Sequence, residues 1–163
     1  MRGTKCLILT AVIATLVSSC AKQTNHNIIV DLPSIKAPQG AILNRDLIGS
    51  MFERTVGDKV FFDFDKSTLT PDSKIQLMKW VSFLEKYPND HLMIEGHCDE
   101  RGTREYNLAL GERRANTVKK FLISQGVAES RLTIVSYGKE RPLILSSNDP
   151  AWAQNRRAVG VIE

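Results

Sequence analysis

The sequence predicts an α+β sandwich over residues 59–163, with a four-stranded mixed sheet and helices packed on one face. Three observations support this prediction. Short β-branched and aromatic segments alternate with segments of helical period, in the order βαβαβ…β. Turn-forming residues separate these segments. Residues 20–58 are instead rich in Asn, Pro and Gly and keep no sustained period, so we expect a flexible linker before the domain, with at most a short helical turn at 42–52.

Each predicted element has its own local signal. Strands are expected at 60–64, 91–97, 132–136 and 158–162, where apolar and β-branched residues cluster or alternate. A first helix is expected to begin at Thr70-Pro71-Asp72, which supplies a capping hydroxyl, a proline and an acid in the first turn. A second, long helix is expected to begin at Gly111 and to close at Gly126.

The first nineteen residues have the order of a secretory leader. Arg2 and Lys5 precede an apolar run at 6–17, which is shorter than the roughly 20 residues of a membrane span. The following segment, Val17-Ser18-Ser19-Cys20, resembles the lipobox of bacterial lipoproteins, which implies that Cys20 is lipidated. The alternative is an ordinary secretory signal with an incidental cysteine.

Charge and cysteine content exclude some classes of function for this chain. The chain has 22 basic and 18 acidic residues, a formal charge of +4, and removal of the leader with Arg2 and Lys5 lowers this to +2. Basic and acidic residues alternate, so we expect no nucleic-acid partner. Of the three cysteines, only Cys98 lies in the predicted domain, which predicts no disulfide there.

The most informative segment is 95–116, EGHCDERGTREYNLALGERRAN. It resembles the OmpA-like peptidoglycan-binding domain family. Further matches are FDFD at 62–65, VSYGKE at 135–140 and NRRA at 155–158. The resemblance is dense over residues 59–163 and implies a non-catalytic domain that needs no cofactor.

Two charged residues of this segment form the predicted centre of the site. Asp99 follows a strand end, and Arg114 is placed in the first turn of the helix that we expect to begin at Gly111. A carboxylate opposite an Arg at a positive helix end suits a zwitterion, whose amine pairs with Asp99 and whose carboxylate pairs with Arg114. Alternatively, Asp99 only caps the turn before Gly102, and Arg114 is a solvated helix residue.

The family resemblance assigns roles to these and other residues. It implies that Asp99 and Arg114 bind the amino-acid head of diaminopimelate in the peptidoglycan stem peptide. Phe64 and Asp65 are implied to offer backbone N–H groups, while Asn107 and Leu110 are implied to line the pocket wall.

The resemblance also implies a cellular role. A lipoprotein of this family is anchored in the outer membrane with its domain facing the periplasm, and Ala21 after the cysteine agrees with that destination. The implied partners are peptidoglycan, TolB and other proteins of the Tol–Pal system, which supports outer-membrane integrity and invagination during division. A wall anchor linked to a stator or a porin would need a membrane helix or barrel, for which the sequence has no signal.

The competing enzyme hypothesis is a metal- or thiol-dependent cell-wall hydrolase. It would use His97, Cys98 and Asp99, but adjacent strand residues point to opposite faces. No paired His or Cys motif of a metal site is present in the sequence, and His26 and His91 have no sequence partner. We therefore predict no catalytic and no metal-binding residues.

Overall fold

The structure is a computed structural model that describes residues 45–163. The predicted leader at 1–19, the lipidation site Cys20 and the linker up to residue 44 lie outside the described residues. The described elements are α1 (Arg45–Met51) with a π-helical turn (Phe52–Val56), β1 (Lys59–Phe61), α2 (Pro71–Lys86), β2 (Leu92–His97), α3 (Arg104–Ser124), a 3₁₀ turn (Glu129–Arg131), β3 (Leu132–Gly138), α4 (Asp149–Asn155) and β4 (Arg157–Ile162).

The four strands form one mixed sheet in the order β1-β4-β2-β3. β4 runs antiparallel to both of its neighbours, β1 and β2, whereas β2 and β3 are parallel. The parallel pair is joined through α3, as expected for a crossover connection. The predicted α+β class and the four-stranded mixed sheet are confirmed.

The core lies between one face of the sheet and helices α1, α2 and α3. Sheet residues that point to this face, such as Leu92, Ile94 and Ala158, are fully buried in the core. Trp80 of α2 and Phe52 pack above Gly160, where an added Cβ would lie 3.0 Å from the Trp80 ring and 3.1 Å from Phe52. Each helix therefore contributes one apolar face to a single core.

The start of α2 matches its sequence signal. Thr70 is the N-cap and its hydroxyl accepts a hydrogen bond from the Ser73 amide at 3.1 Å, with Pro71 as the first helical residue. The Ser73 hydroxyl in turn donates to the Phe61 carbonyl at 2.8 Å. The cap thus fixes α2 to the end of β1, next to the loop that carries Phe64 and Asp65.

The structure differs from the predicted linker boundary at residue 58. Residues 45–56 form α1 and the π-helical turn, and Ile48, Phe52 and Val56 belong to the hydrophobic core. Their spacing of four residues repeats over only two intervals, which beside the flanking Gly and Asn residues predicts no more than the short helical turn expected at 42–52. The folded domain therefore begins well before residue 59.

The predicted start of the long helix at Gly111 is wrong. α3 begins at Arg104, with Thr103 as its N-cap accepting a hydrogen bond from the Tyr106 amide at 3.2 Å. Gly111 instead lies where α3 crosses β2, and a Cβ there would lie 2.4 Å from Ser136 Oγ. Glycine is needed at this position for close packing and not for a helix end. Arg114 consequently lies in the middle of α3, away from its positive end.

Candidate ligand-binding site

A cavity of about 170 Å³ opens where the β1–α2 loop, the β2–α3 loop and α3 meet. All six residues predicted for the site line this cavity. Its full lining is Phe64, Asp65, Cys98, Asp99, Arg101, Gly102, Tyr106, Asn107, Leu110 and Arg114. The structure therefore brings together residues that lie up to fifty positions apart in the chain.

A close contact between α3 and β2 sets the position of Arg114. A Cβ on Gly96 would lie 1.9 Å from the Gly111 carbonyl oxygen, so only glycine permits this separation. Arg114 follows one turn later on α3 and reaches under the end of β2. The contact brings a long cationic side chain beneath the cavity instead of leaving it in solvent.

Arg114 is fully buried, with none of its surface exposed. Its Nε donates to the Lys66 carbonyl at 2.9 Å, its Nη1 to the His97 carbonyl at 2.8 Å, and its Nη2 to the Asp63 carbonyl at 3.2 Å. Burial lowers the pKa of the guanidinium, yet an Arg remains protonated under all ordinary conditions. Arg114 thus joins the β1–α2 loop to the end of β2 and places a positive charge under the cavity. The alternative that it is a solvated helix residue is wrong.

Asp99 is also buried, at 4% exposure, and its carboxylate is bound by two arginines. Arg101 donates from Nη2 at 2.7 Å to one oxygen and from Nε at 3.2 Å to the other. Arg156 adds a longer bond from Nη1 at 3.3 Å. Burial raises the pKa of Asp99, but the hydrogen bonds from Arg101 and Arg156 outweigh it and hold the pKa below its usual value. Asp99 is therefore a charged anion at neutral pH.

Asn107 shapes the loop between these two charges. Its side-chain amide donates to the Arg101 carbonyl at 2.7 Å and to the Thr103 carbonyl at 3.0 Å, which folds the loop over the start of α3. Leu110 is 5% exposed and forms an apolar part of the wall. Both residues line the cavity.

Phe64 and Asp65 lie on the opposite side of the cavity. Asp65 adopts a left-handed backbone with φ of 56°, a conformation that short polar residues tolerate better than most. Its carboxylate accepts a hydrogen bond from the Tyr106 hydroxyl, which raises the pKa of that tyrosine. Phe64 is 57% exposed and covers the Arg101 guanidinium at 3.9 Å. The predicted role of their backbone N–H groups stays a prediction.

Sequence reasoning missed three residues of the site, namely Arg101, Tyr106 and Arg156. Arg101 and Tyr106 stand inside the quoted segment 95–116, so their motif was found while their contacts were not. Arg156 belongs to the NRRA match, for which no role at the site was predicted. It is 57 positions from Asp99 in the sequence, and no local pattern indicates an ion pair between residues so widely separated.

The residues of the hydrolase alternative have unsuitable pKa values. Burial raises the pKa of the Cys98 thiol to about 11, so it is a neutral thiol at physiological pH. Burial and the nearby Arg157 lower the pKa of His97 to about 4. The Cys98 Sγ accepts a hydrogen bond from Arg114 Nη1 at 3.4 Å and donates to the Asn107 carbonyl at 3.3 Å. Cys98 therefore fills space beside Arg114 as a weakly polar group.

Two further structural facts concern membrane and metal. Across residues 45–163, no group of three or more His, Cys, Asp or Glu side chains is arranged to hold a metal ion. Within the same range, every helix is too short or too polar to cross a bilayer.

Comparison with protein families and curated proteins identifies relatives. Residues 61–156 match the OmpA family. A peptidoglycan-associated lipoprotein of Mesorhizobium japonicum is 42% identical over 93% of this chain and 89% of its own length. A protein of the same name from Brucella melitensis is 50% identical over 68% of this chain, and the chain spans 66% of that relative's length.

Solved structures show the same architecture. The peptidoglycan-associated lipoprotein of Burkholderia pseudomallei superimposes with a TM-score of 0.65 at 39% identity, covering 68% of this chain and 96% of that one. The C-terminal domain of Helicobacter pylori MotB matches with a TM-score of 0.61 at 22% identity, which shows the shared fold alone. The expectation that the chain is not an enzyme is confirmed by relatives named as lipoproteins associated with peptidoglycan.

Proposed function

The chain belongs to the OmpA family, among its peptidoglycan-associated lipoproteins, and we propose that it is an outer-membrane lipoprotein whose domain binds peptidoglycan non-covalently. The observation that carries this proposal is the cavity lined by both Asp99 and Arg114. One wall presents a carboxylate and the floor presents a guanidinium. This pairing suits a ligand with an ammonium and a carboxylate on the same carbon.

The ligand we propose is the amino-acid head of diaminopimelate in the stem peptide. Its ammonium would pair with Asp99 and its carboxylate with Arg114, each by charge-assisted hydrogen bonds of about 1.5–3 kcal/mol. Within the described part of the chain, Arg114 uses four of its five hydrogens on Lys66, His97, Asp63 and Cys98. The remaining Nη2 hydrogen is available to a carboxylate that enters the cavity.

The remaining lining suits a ligand that enters head first. Leu110 offers an apolar wall to the methylene chain, while Tyr106 and Phe64 stand exposed at the mouth, at 45% and 57% exposure. Aromatic rings at an open rim bind the flat faces of peptides and sugars through contact area. Phe64, Asp65, Asn107 and Leu110 complete the proposed site around the charged pair.

We further propose that Cys20 carries the lipid anchor and that the domain faces the periplasm. An acylated Cys20 with two or more chains would hold the protein stably, at about 0.8 kcal/mol per buried methylene. TolB and other Tol proteins are the proposed protein partners, in a system that keeps the outer membrane attached to the wall and draws it inward at division.

Co-sedimentation with purified wall sacculi tests the site. We expect the wild-type protein to sediment with sacculi and Asp99→Asn to stay in the supernatant. Glu100→Gln is the matched control, because it makes the same charge change one residue away and keeps an acceptor for Trp152 Nε1. Binding by Asp99→Asn at the wild-type level would contradict the proposal.

The same incubation separates a binding protein from a hydrolase. A binding protein leaves the sacculi intact, whereas a hydrolase releases soluble wall fragments into the supernatant. For the anchor, Cys20→Ala is expected to move the protein out of the detergent-dependent membrane fraction. Unchanged partitioning of this variant would refute lipidation at Cys20.

A further inference from the structure

We propose that Arg101 occupies the ammonium position of the cavity when no ligand is bound, and that the ligand must displace its guanidinium from Asp99. This inference rests on the proposed binding of an amino-acid head and adds a residue that sets the affinity. The cavity then holds an internal cation that competes with the ligand for one carboxylate.

The first argument is the number of acceptor positions on Asp99. A carboxylate has about four lone-pair positions. On Oδ1, the Arg101 amide donates at 3.1 Å and Arg101 Nε at 3.2 Å. On Oδ2, Arg101 Nη2 donates at 2.7 Å and Arg156 Nη1 at 3.3 Å. All four positions are filled, so an incoming ammonium can bind only after one donor leaves.

The second argument identifies which donor leaves. The Arg156 side chain is 14% exposed and also donates from Nε to the Phe62 carbonyl at 3.1 Å, so it is held by the fold. The Arg101 side chain is 34% exposed, and within residues 45–163 its guanidinium hydrogen-bonds to Asp99 alone and stacks against two aromatic rings. Arg101 can therefore rotate into solvent without breaking a main-chain contact, whereas Arg156 cannot.

The third argument concerns charge. Removing Arg101 from a 4% exposed carboxylate would leave the anion with Arg156 as its one ion-pair partner among the described residues. A ligand ammonium that takes the same place restores the second positive charge. Displacement is thus an exchange of one cation for another, and the free energy needed to release Arg101 lowers the observed affinity.

The Phe64 and Trp152 rings hold the Arg101 guanidinium in this position. Its central carbon lies 3.9 Å from the centre of the Phe64 ring and 4.2 Å from that of Trp152. Trp152 is oriented by its indole N–H, which donates to Glu100 at 2.9 Å. The stack covers Asp99 from the solvent side, which explains why a carboxylate at the mouth of an open cavity is nearly inaccessible.

Titration of the purified full-length protein with free meso-diaminopimelate tests the inference. We expect Arg101→Ala to bind about tenfold more tightly than the wild type, since the ligand no longer displaces a charge-assisted pair. Arg104→Ala is the matched control. It removes the same charge three residues away, where Arg104 pairs with the exposed Glu140 at 3.3 Å, and we expect wild-type affinity.

Tryptophan emission gives a second readout that does not require a change at Arg101. The other tryptophan, Trp80, is fully buried in the core, so a change on ligand addition reports on Trp152. We expect diaminopimelate to change the emission of the wild type and not that of Trp152→Phe. A wild type that binds without an emission change would contradict displacement of Arg101.

The outcomes separate this inference from the proposed function. If the wild type binds and Arg101→Ala binds equally or more weakly, the competition by Arg101 is refuted and the proposed function stands. If neither protein binds diaminopimelate, the proposed function fails, and the inference fails with it. Tighter binding by Arg101→Ala, with Arg104→Ala unchanged, supports both.

Discussion

Arg114 and Arg101 place guanidinium groups at the same cavity but are held in different ways. Arg114 is fully buried and donates to three main-chain carbonyls, two in the β1–α2 loop and one at the end of β2. Arg101 is one-third exposed in its side chain and is held by the Asp99 carboxylate and two aromatic rings. An arginine bound to the main chain is part of the fold, whereas one bound to side chains can be exchanged for a ligand.

This contrast divides the site into two regions. The floor comprises Arg114 and the glycine contact between Gly96 and Gly111 that places it. The rim comprises Arg101 with the Phe64 and Trp152 rings. Changes in the floor should lower the free energy of unfolding, and changes in the rim should leave it nearly unaltered. Four predictions test this division.

The largest effect is expected from Arg114→Ala. It removes a fully buried side chain and its bonds to the carbonyls of Asp63, Lys66 and His97, of which the His97 bond is buried and the other two are partly buried, and we expect a loss of about 3–5 kcal/mol in unfolding free energy. Chemical denaturation followed by circular dichroism measures this. Arg113→Ala, its exposed neighbour on α3, is the control and should be nearly neutral. A stable Arg114→Ala protein would remove the distinction between floor and rim.

The second prediction concerns His97, whose carbonyl accepts from Arg114 and whose ring is 2% exposed. Burial, followed by Arg157, lowers its pKa from 6.5 to about 4, so the folded protein holds a neutral ring over a range where the unfolded chain is protonated. The unfolded state then binds more protons. The contribution of His97 to the unfolding free energy should therefore be at its full value above pH 6.5 and should fall by about 3 kcal/mol as the pH drops towards 4.

Unfolding free energies at pH 7 and pH 4.5 check this dependence. Glu95, at 3.4 Å from the His97 ring, has a pKa raised by burial, so its titration changes the unfolding free energy with pH in the opposite direction. The contribution of His97 must therefore be measured as a difference between variants. His97→Gln should reduce the pH dependence, whereas His91→Gln, at the exposed start of the strand, should keep it. Equal slopes in both variants would contradict the burial argument.

The third prediction compares two glycines. Gly96→Ala places a Cβ 1.9 Å from the Gly111 carbonyl oxygen, and we expect a loss of about 1–3 kcal/mol because α3 must move away from β2. Gly49→Ala in α1 meets nothing within 4 Å and should stabilise the protein by about 0.5–1 kcal/mol. Thermal denaturation of the pair measures both. A neutral Gly96→Ala would mean that helix and strand tolerate a wider separation.

The glycine pair also explains which part of the fold the sequence alone could predict. Strands and the start of α2 carry local signals, such as the Thr70 cap and the alternation at 92–97, and these signals were sufficient. Gly111 resembles a helix end locally. Its actual role depends on Gly96 and Ser136, which lie far away in sequence, so the start of α3 was misplaced.

The site was predictable to the extent that its residues stand in one segment. Asp99, Asn107, Leu110 and Arg114 all fall within 95–116, and they do meet at one cavity. Sequence could not reveal that Asp99 is already paired, because that pairing needs the Arg101 side chain to fold back and Arg156 to approach from the junction of α4 and β4. Which partners a side chain already has depends on three-dimensional packing, and no periodic pattern in the sequence indicates it.

The smallest expected effect on stability belongs to the rim residue Phe64. Phe64→Ala removes one of the two rings against the Arg101 guanidinium, and its ring is already 57% exposed. A cation–π contact at such a position contributes about 0.5–1 kcal/mol, so the unfolding free energy should fall by no more than about 1 kcal/mol.

Phe62→Ala provides the contrast. Phe62 is 4% exposed and lies in the core, so this substitution should lower the unfolding free energy by about 3–5 kcal/mol. Denaturation of both variants under one condition gives the comparison. Similar losses in the two would mean that the rim is as much a part of the fold as the floor, and Arg101 would then lack the freedom to leave Asp99.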